Sequence, residues 1–409
     1  MMQPKPLQGV VILAIIAAAL GFFVDAYDLL LYNIVRNQSL QELGLSGEQL
    51  LSVGINLLNA QLVGMLIGGV VWGIVGDIHG RRSVLFGSII LYSIATLVNG
   101  FADNVAVYGA CRFVAGLGLA GELGAGVTLV SELMSKEHRG YGTMIVAAVG
   151  VLGVVTASLV GDRFPWRTAY FIGGGLGLFL LILRLGVRES FLFDRVKTAS
   201  VSRGNFLALF TSAARLKKYV CLIFVAMPIW YAIGILITFS PEIGKALGLG
   251  VAPKAGTAIM LYYLALTFGD LTNGFLSQVF KSRKKIIAAF MFLTVLFCVG
   301  YFTLGGRSLA AFYVACFLIG WSSGYWAVFV TVSAEQFGTN LRATVAVTAP
   351  NFVRGLTAAL TIAFKSLTPC LGTVWSAASI GAVTIIAALI ALSQLEETFG
   401  KDLDYTEMV

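Results

Sequence analysis

Gly76-Asp77-Ile78-His79-Gly80-Arg81-Arg82 is the stretch whose reading decides the fold. It lies between two apolar runs, near 50–75 and 84–101, each long enough to cross a bilayer. So short a segment must turn the chain back on itself, which calls for glycine. Its arginines favour the cytoplasmic side of the turn. A charged, glycine-bounded reversal between two spans predicts a polytopic membrane protein.

Composition agrees. The 409 residues are 58% hydrophobic and 12% charged, with a mean hydropathy of +0.89. A soluble domain of this length needs far more charge to cover its surface. The net charge of +8 invites a nucleic-acid reading, but most of the 28 Lys and Arg fall in loops on one side of the predicted spans. That is the positive-inside pattern, in which basic residues orient a chain in its bilayer, and no nucleic-acid partner is expected. Residues 1–7 are short and basic and lead into a full span that contains acids, so no cleavable leader is expected. Cys111, Cys221, Cys298, Cys316 and Cys370 all lie in apolar segments without metal-like spacing, and read as small buried hydrophobes.

Twelve apolar runs are read near 9–35, 50–75, 84–101, 105–130, 141–161, 168–187, 217–240, 256–279, 286–304, 308–332, 343–366 and 371–394. An even number with this charge bias places both termini in the cytoplasm, and minimal loops suit a bacterial inner membrane. The expected organisation is a six-helix bundle over 1–187, a cytoplasmic linker over 188–216, a second six-helix bundle over 217–396 and a cytoplasmic tail over 397–409. The linker is expected to hold a short surface helix near 204–214.

The halves echo each other. Glu132 is followed seven positions later by Arg139, and Glu335, 203 residues on, by Arg342. Glu189-Ser190-Phe191 after the sixth run matches Glu397-Thr398-Phe399 after the twelfth, whereas the second copy of the opening loop, Lys281-Ser282-Arg283-Lys284-Lys285, keeps the bases and loses the acid. A parallel repeat implies an axis along the membrane normal, with a solute site at midplane between the halves.

The G-D-x-x-G-R-R loop between the second and third spans resembles the signature loop of the major facilitator superfamily of secondary transporters, and the half-repeat and span count extend that resemblance over nearly the whole chain. It implies an all-α integral membrane fold, with twelve helices in two six-helix pseudo-symmetric bundles, working by alternating access. Within the superfamily, Gly21-Phe22-Phe23-Val24-Asp25-Ala26-Tyr27-Asp28 resembles the first helix of metabolite:proton and phosphate:proton symporters. Leu395-Glu396-Glu397-Thr398-Phe399-Gly400 resembles the end of sugar porters and organic-ion carriers. The fifth run lacks the Gly-Pro pair of efflux antiporters. The seventh, through Ala226-Met227-Pro228-Ile229-Trp230-Tyr231, lacks both the Gln pair of sugar porters and the acid of phosphate symporters.

Ionisable groups inside the spans need an explanation, because burying an unpaired charge in hydrocarbon is costly. Asp25 and Asp28 lie one turn apart on the first span. By helical rise, Asp25 lies roughly 24 Å and Arg112 roughly 28 Å from the cytoplasmic end of their spans. We expect an Asp25–Arg112 pair, with Asp28 beside it to accept or share a proton; the alternative is a static pair that locks packing. Glu122, in the glycine-rich fourth span, is read equally as relay or structural hydrogen-bonding group, and Asp270 completes the proton-coupling set. Arg354 near midplane, with Asn351, is expected to clamp an anion, since guanidinium presents a planar fork to carboxylate or phosphate. Otherwise Arg354 pairs with Asp270 as a gate or strut. Trp230, Tyr231 and Trp326 are expected to wall the solute site, with Asn56 and Gln61 as weaker contributors. Aromatics at such positions more often serve packing or an interfacial belt.

Gly76, Asp77, Gly80, Arg81 and Arg82, with the pairs Glu132–Arg139 and Glu335–Arg342, are expected to latch the cytoplasmic side and bias a two-state rocking equilibrium. The functional expectation is proton-coupled uptake of a small polar metabolite, an organic anion or zwitterion, by a monomer in the plasma membrane. The proton gradient supplies the energy and no cofactor is needed. Proton-driven efflux and a non-transporting receptor are the alternatives. An enzyme is not expected, because the residues show no nucleophile–base pair, metal spacing or phosphate-cradling loop that would sit in water.

Overall fold

The computed structural model describes residues 8–46, 48–134, 138–186, 206–402 and 405–406. Among them the regular structure is helical throughout, as hydrocarbon demands of a chain that must satisfy every backbone amide internally. The helices are α1 (Gln8–Glu42), α2 (Glu48–His79), α3 (Arg81–Asn99), α4 (Val105–Leu119), α5 (Glu122–Leu133), α6 (Arg139–Arg163) and α7 (Trp166–Leu183) in the first half. The second half holds α8 (Ala213–Tyr231), α9 (Ser240–Ala246), α10 (Ala255–Val279), α11 (Arg283–Leu304), α12 (Leu309–Ser322), α13 (Trp326–Glu335) and α14 (Arg342–Gln394).

Among the described residues, eleven helices are long and apolar enough to cross a membrane, against the twelve runs expected. The difference is α10. Its 25 residues suffice in length, but Asp270, Asn273 and Gln278 dilute its apolar content. It still packs between α6 and α12, and supplies the eighth span of a six-plus-six arrangement. The eleventh and twelfth spans run together in α14, bent where Gly372 takes φ 73°. The fourth and tenth spans are each broken, between α4 and α5 and between α12 and α13. The breaks at Ala120–Gly121 and Ser323–Gly324 carry the same 203-residue offset as Glu132 and Glu335, so the internal repeat extends to backbone irregularities.

The expected helix near 204–214 is replaced, in its described part, by a 3-10 turn at Phe206–Leu209 and the start of α8 at Ala213. Residues 187–205 lie outside the described residues. Ala208 and Leu209 are buried while Leu207 and Phe210 are exposed, so this piece lies at the surface with one side packed on the bundle. Of the five cysteines, four are buried and Cys370 is exposed.

The halves meet along α2 against α14 and α6 against α10. At Gly73 a Cβ would lie 2.9 Å from the Thr344 Cα, so the two backbones touch with no side chain between them. Gly80 turns α2 into α3 at φ 96°, a left-handed conformation that glycine adopts without strain. The C-terminal segment folds back on the face that carries these basic loops. Glu397 accepts from Ser282 Oγ and from the amides of Arg283 and Lys284, capping α11, and Phe399 lies under the Arg283 guanidinium.

Candidate functional site

A cavity of about 40 Å3 lies between the halves. The first half contributes Phe22, Ala26, Leu29 and Leu30 from α1, and Val151 and Val154 from α6. The second half contributes Ile229, Trp230 and Ile233, then Tyr262, Tyr263 and Leu266 from α10, with Trp326 and Arg354. Its lining is apolar with one cationic side chain, the mixture typical of small-molecule sites.

Local sequence explains how these residues arrive there. Pro228 removes a backbone donor inside α8, and a π-helical turn follows at Ala232–Ile237. Such turns redirect side chains and recur at functional sites. In the tenth span the break at Ser323–Gly324–Tyr325 starts a new helix at Trp326. Asp270 caps it by accepting from the Ala327 amide at 3.1 Å. Trp230 and Trp326 meet edge to face, with centroids 6.0 Å apart. The Arg354 guanidinium lies 5.8 Å from each ring centroid. Arg354 Nη1 donates to Asn351 Oδ1 at 3.3 Å. Asn351 Nδ2 in turn donates to Ala120 O at 3.0 Å, the carbonyl freed by the break in the fourth span. One asparagine thus aims the arginine and ties the halves together.

The acids of the first span divide differently from expectation. Arg112 pairs with Asp28, Nη1 to Oδ2 at 3.4 Å, not with Asp25; Thr96 also donates to Asp28 at 3.0 Å, and Tyr170 lies under the guanidinium. Three residues on a helix amount to a rotation of about 60°. Asp28 therefore turns into the first half, while Asp25 keeps to the side of Phe22, Ala26 and Leu29. Asp25 is fully buried and neither oxygen has a hydrogen-bond partner among the described residues.

Glu122 is held by Arg184 at 2.6 and 2.9 Å and accepts from Ser88 at 2.7 Å. Arg184 also donates to the carbonyls of Leu85 and Ala17. The sequence reading passed over Arg184, although a charge three residues from the end of the run drawn to 187 was the available signal. Asp270 caps α13 and forms no ion pair with Arg354 among the described residues, so the alternative strut is not made. Tyr231 points away from the cavity and donates to Ala377 O at 2.8 Å, because it is rotated about 100° from Trp230. Gln61 is buried against the fourth span, where a Cβ at Gly116 would press on its backbone, and Asn56 is exposed; neither lines the cavity.

The basic-face latch is present, with its partners exchanged. Glu132 binds Arg81 at 3.0 Å and, across the halves, Arg342 at 2.9 Å. Glu335 binds Arg283 at 2.7 Å, and the side chain of Arg139 lies outside the described residues. Asp77 accepts from the Thr344 amide at 2.8 Å and its hydroxyl at 2.6 Å, capping α14 from the other half. Arg81 donates to Gly76 O at 2.7 Å and to Thr339 O at 3.2 Å. Arg82 is exposed and lies over Phe86.

Known proteins share this plan. A family profile described as Major Facilitator Superfamily matches residues 11–373. A putative metabolite transport protein of Haemophilus influenzae is 30% identical over 201 residues, a match that spans about half of each chain, 47% of both. A putative niacin/nicotinamide transporter of Bacillus subtilis is 24% identical, covering 80% of this chain and 81% of that protein. A gentisate transporter of Corynebacterium glutamicum is 28% identical, covering 83% of each. The solved structure of a proton:xylose symporter superposes with a TM-score of 0.76 at 17% identity, covering 97% of this chain and 98% of that one.

Proposed function

The chain belongs to the Major Facilitator Superfamily, and from that premise we propose that it imports a small organic anion carrying a flat apolar body, driven by protons. The observation that carries this reading is Arg354, the cation of an otherwise apolar cavity, flanked by Trp230 and Trp326. A guanidinium supplies two parallel donors to a carboxylate, and indole faces stack on a planar body with little entropy lost. Sugars, which need many polar partners, match this lining poorly. Relatives named for niacin/nicotinamide and for gentisate support a flat ring as the solute body, and niacin and gentisate are carboxylates.

Proton drive is proposed from the buried acids Asp25 and Asp28 on the first span. We place the basic face and both termini in the cytoplasm of a bacterial inner membrane, on the distribution of Lys and Arg. The latch then closes the cytoplasmic side, and its opening after solute binds would complete the transport step.

The test is uptake of labelled gentisate into proteoliposomes. Accumulation under an acid-outside gradient, abolished by a protonophore and by Arg354→Ala, supports the reading. Equal uptake with and without the gradient overturns the proton drive, and uptake of xylose in preference to gentisate overturns the anion.

A further inference from the structure

We propose that Trp230 reads a second polar atom on the solute: its indole N–H donates to an acceptor on the ring of the anion, a heteroaromatic nitrogen or a hydroxyl oxygen, while Arg354 holds the carboxylate. This rests on the organic-anion reading and narrows the solute to ring carboxylates that carry such an acceptor.

The tryptophans of this chain differ in how their N–H groups are met. Trp72 Nε1 donates to Leu117 O at 2.7 Å, and Trp166 Nε1 to Glu42 Oε2 at 2.7 Å. Phenols beside the cavity are likewise served, Tyr262 donating to Ile229 O at 3.2 Å and Tyr325 to Val225 O at 3.2 Å. Trp230 Nε1 is buried with no acceptor among the described residues, although the indole lines the cavity. A buried indole N–H normally finds a partner, and leaving it unmet costs its desolvation. Phenylalanine would fill much of the same wall without that cost. A resident water is a poor substitute, because it needs several polar partners and this lining is almost wholly apolar.

The two indoles are set so that a flat solute can meet this donor. Trp230 and Trp326 are inclined at 63° with centroids 6.0 Å apart, and the Arg354 guanidinium lies 5.8 Å from each. A flat ring can stack on only one of two indoles so inclined. Stacked on Trp326, it leaves Trp230 to meet it through an edge, and the polar point of an indole edge is Nε1. Arg354, equidistant from both rings, is in place to hold the carboxylate of a ring so stacked.

Selectivity follows from the unmet donor. A site built to donate to a ring atom rejects an analogue that lacks it, because the donor then stays buried and unpaired. Benzoate has the size and charge of niacin but leaves the N–H unmet, whereas niacin supplies a ring nitrogen.

The experiment is calorimetric titration of purified wild type, Trp230→Phe and Trp326→Phe with niacin and benzoate at about pH 7.5, where both are monoanions. The quantity read is the ratio of the two Kd values, from which any packing effect common to both ligands cancels. Wild type is expected to bind niacin about tenfold more tightly than benzoate. Trp230→Phe should lose that preference while holding benzoate at least as tightly as wild type does. Trp326→Phe should weaken both ligands and keep the ratio. A wild type without preference for niacin, or a preference that survives in Trp230→Phe, overturns the proposal. Should Trp230→Phe fail to fold, the indole N–H proton resonances of the wild type decide. A downfield shift of one of them with niacin and not with benzoate supports the contact, and no such shift contradicts it. Failure of both compounds to bind sinks the organic-anion reading as well, whereas benzoate bound as tightly as niacin sinks this inference alone.

Discussion

The latch on the basic face and the cavity at midplane are both buried and both charged, yet they are finished differently. In the latch, Asp77, Arg81, Glu132 and Arg342 each hold named partners within about hydrogen-bond distance, and several bonds cross between the halves. In the cavity, neither carboxylate oxygen of Asp25 has a hydrogen-bond partner among the described residues, and the Trp230 Nε1 is equally unmet. Satisfied polar networks fix one arrangement of a protein, and unsatisfied buried groups are expensive unless something else completes them. On the function proposed above, the difference separates a part that would hold a conformation from a part that would receive a solute.

Removing a charge from the latch should have the greater effect on stability. Glu132→Gln leaves Arg81 and Arg342 facing each other without their shared anion, a loss of about 3–5 kcal/mol for a broken buried pair. The expected result is a lower unfolding midpoint and a wider separation of spin labels at His79 and Lys281, both exposed on the basic face. An unchanged distance would mean that the latch does not hold the halves. In the cavity the same kind of deletion should spare stability and remove binding. Arg354→Ala is expected to weaken gentisate about 100-fold, near 3 kcal/mol, by calorimetric titration, with little change in midpoint. Strong unfolding of this variant would make Arg354 a strut and erase the contrast.

Smaller substitutions sharpen the picture. Trp326→Ala should weaken binding about 5- to 10-fold, in line with about 1–1.5 kcal/mol for an aromatic contact, while Tyr231→Phe should leave the Kd unchanged because its hydroxyl serves Ala377. The smallest effect is expected at the tail. Burial opposes ionisation of Glu397, but hydrogen bonds from Ser282 and from the amides of Phe399, Arg283 and Lys284 outweigh it and hold its carboxyl below the usual glutamate range. A lowered folded value means that the contribution is present above the ordinary glutamate value and fades as pH falls through the folded one. Glu397→Gln should therefore lower stability near neutral pH by less than about 1 kcal/mol, since solvent screens this exposed carboxylate, and progressively less in acid, as read by thermal melts in a pH series.

Much of this was legible in the residues. The glycine-bounded loop at 76–82 dictated a tight turn between spans, and charges inside apolar runs marked Asp25, Asp28, Arg112 and Arg354 before any fold was known. Their pairing was not legible. Asp25 and Asp28 differ by a rotation of about 60°, and spacing along one helix does not say which neighbour stands on which side. Trp230 and Tyr231 posed the same difficulty at about 100°, and only one could face the cavity. The repeated Glu-Arg spacing suggested latches closed within each loop, whereas the fold carries Arg342 across to Glu132 and gives Glu335 to Arg283. The eighth span was legible near 256–279 despite its polar residues, but the purpose of Asp270 was not: it caps a broken neighbour, a need that exists only once α12 and α13 are in place.

The central claim is that Arg354 and its two tryptophans form an anion site for flat solutes. Its most direct test compares niacin with nicotinamide, which share a ring and differ in the charge of one substituent, by calorimetric titration of wild-type protein and Arg354→Gln. The account predicts that wild type prefers niacin by about 30-fold or more, and that the variant loses the preference without losing its fold. Equal affinity of the wild type for both compounds, or a preference that survives in Arg354→Gln, would contradict it.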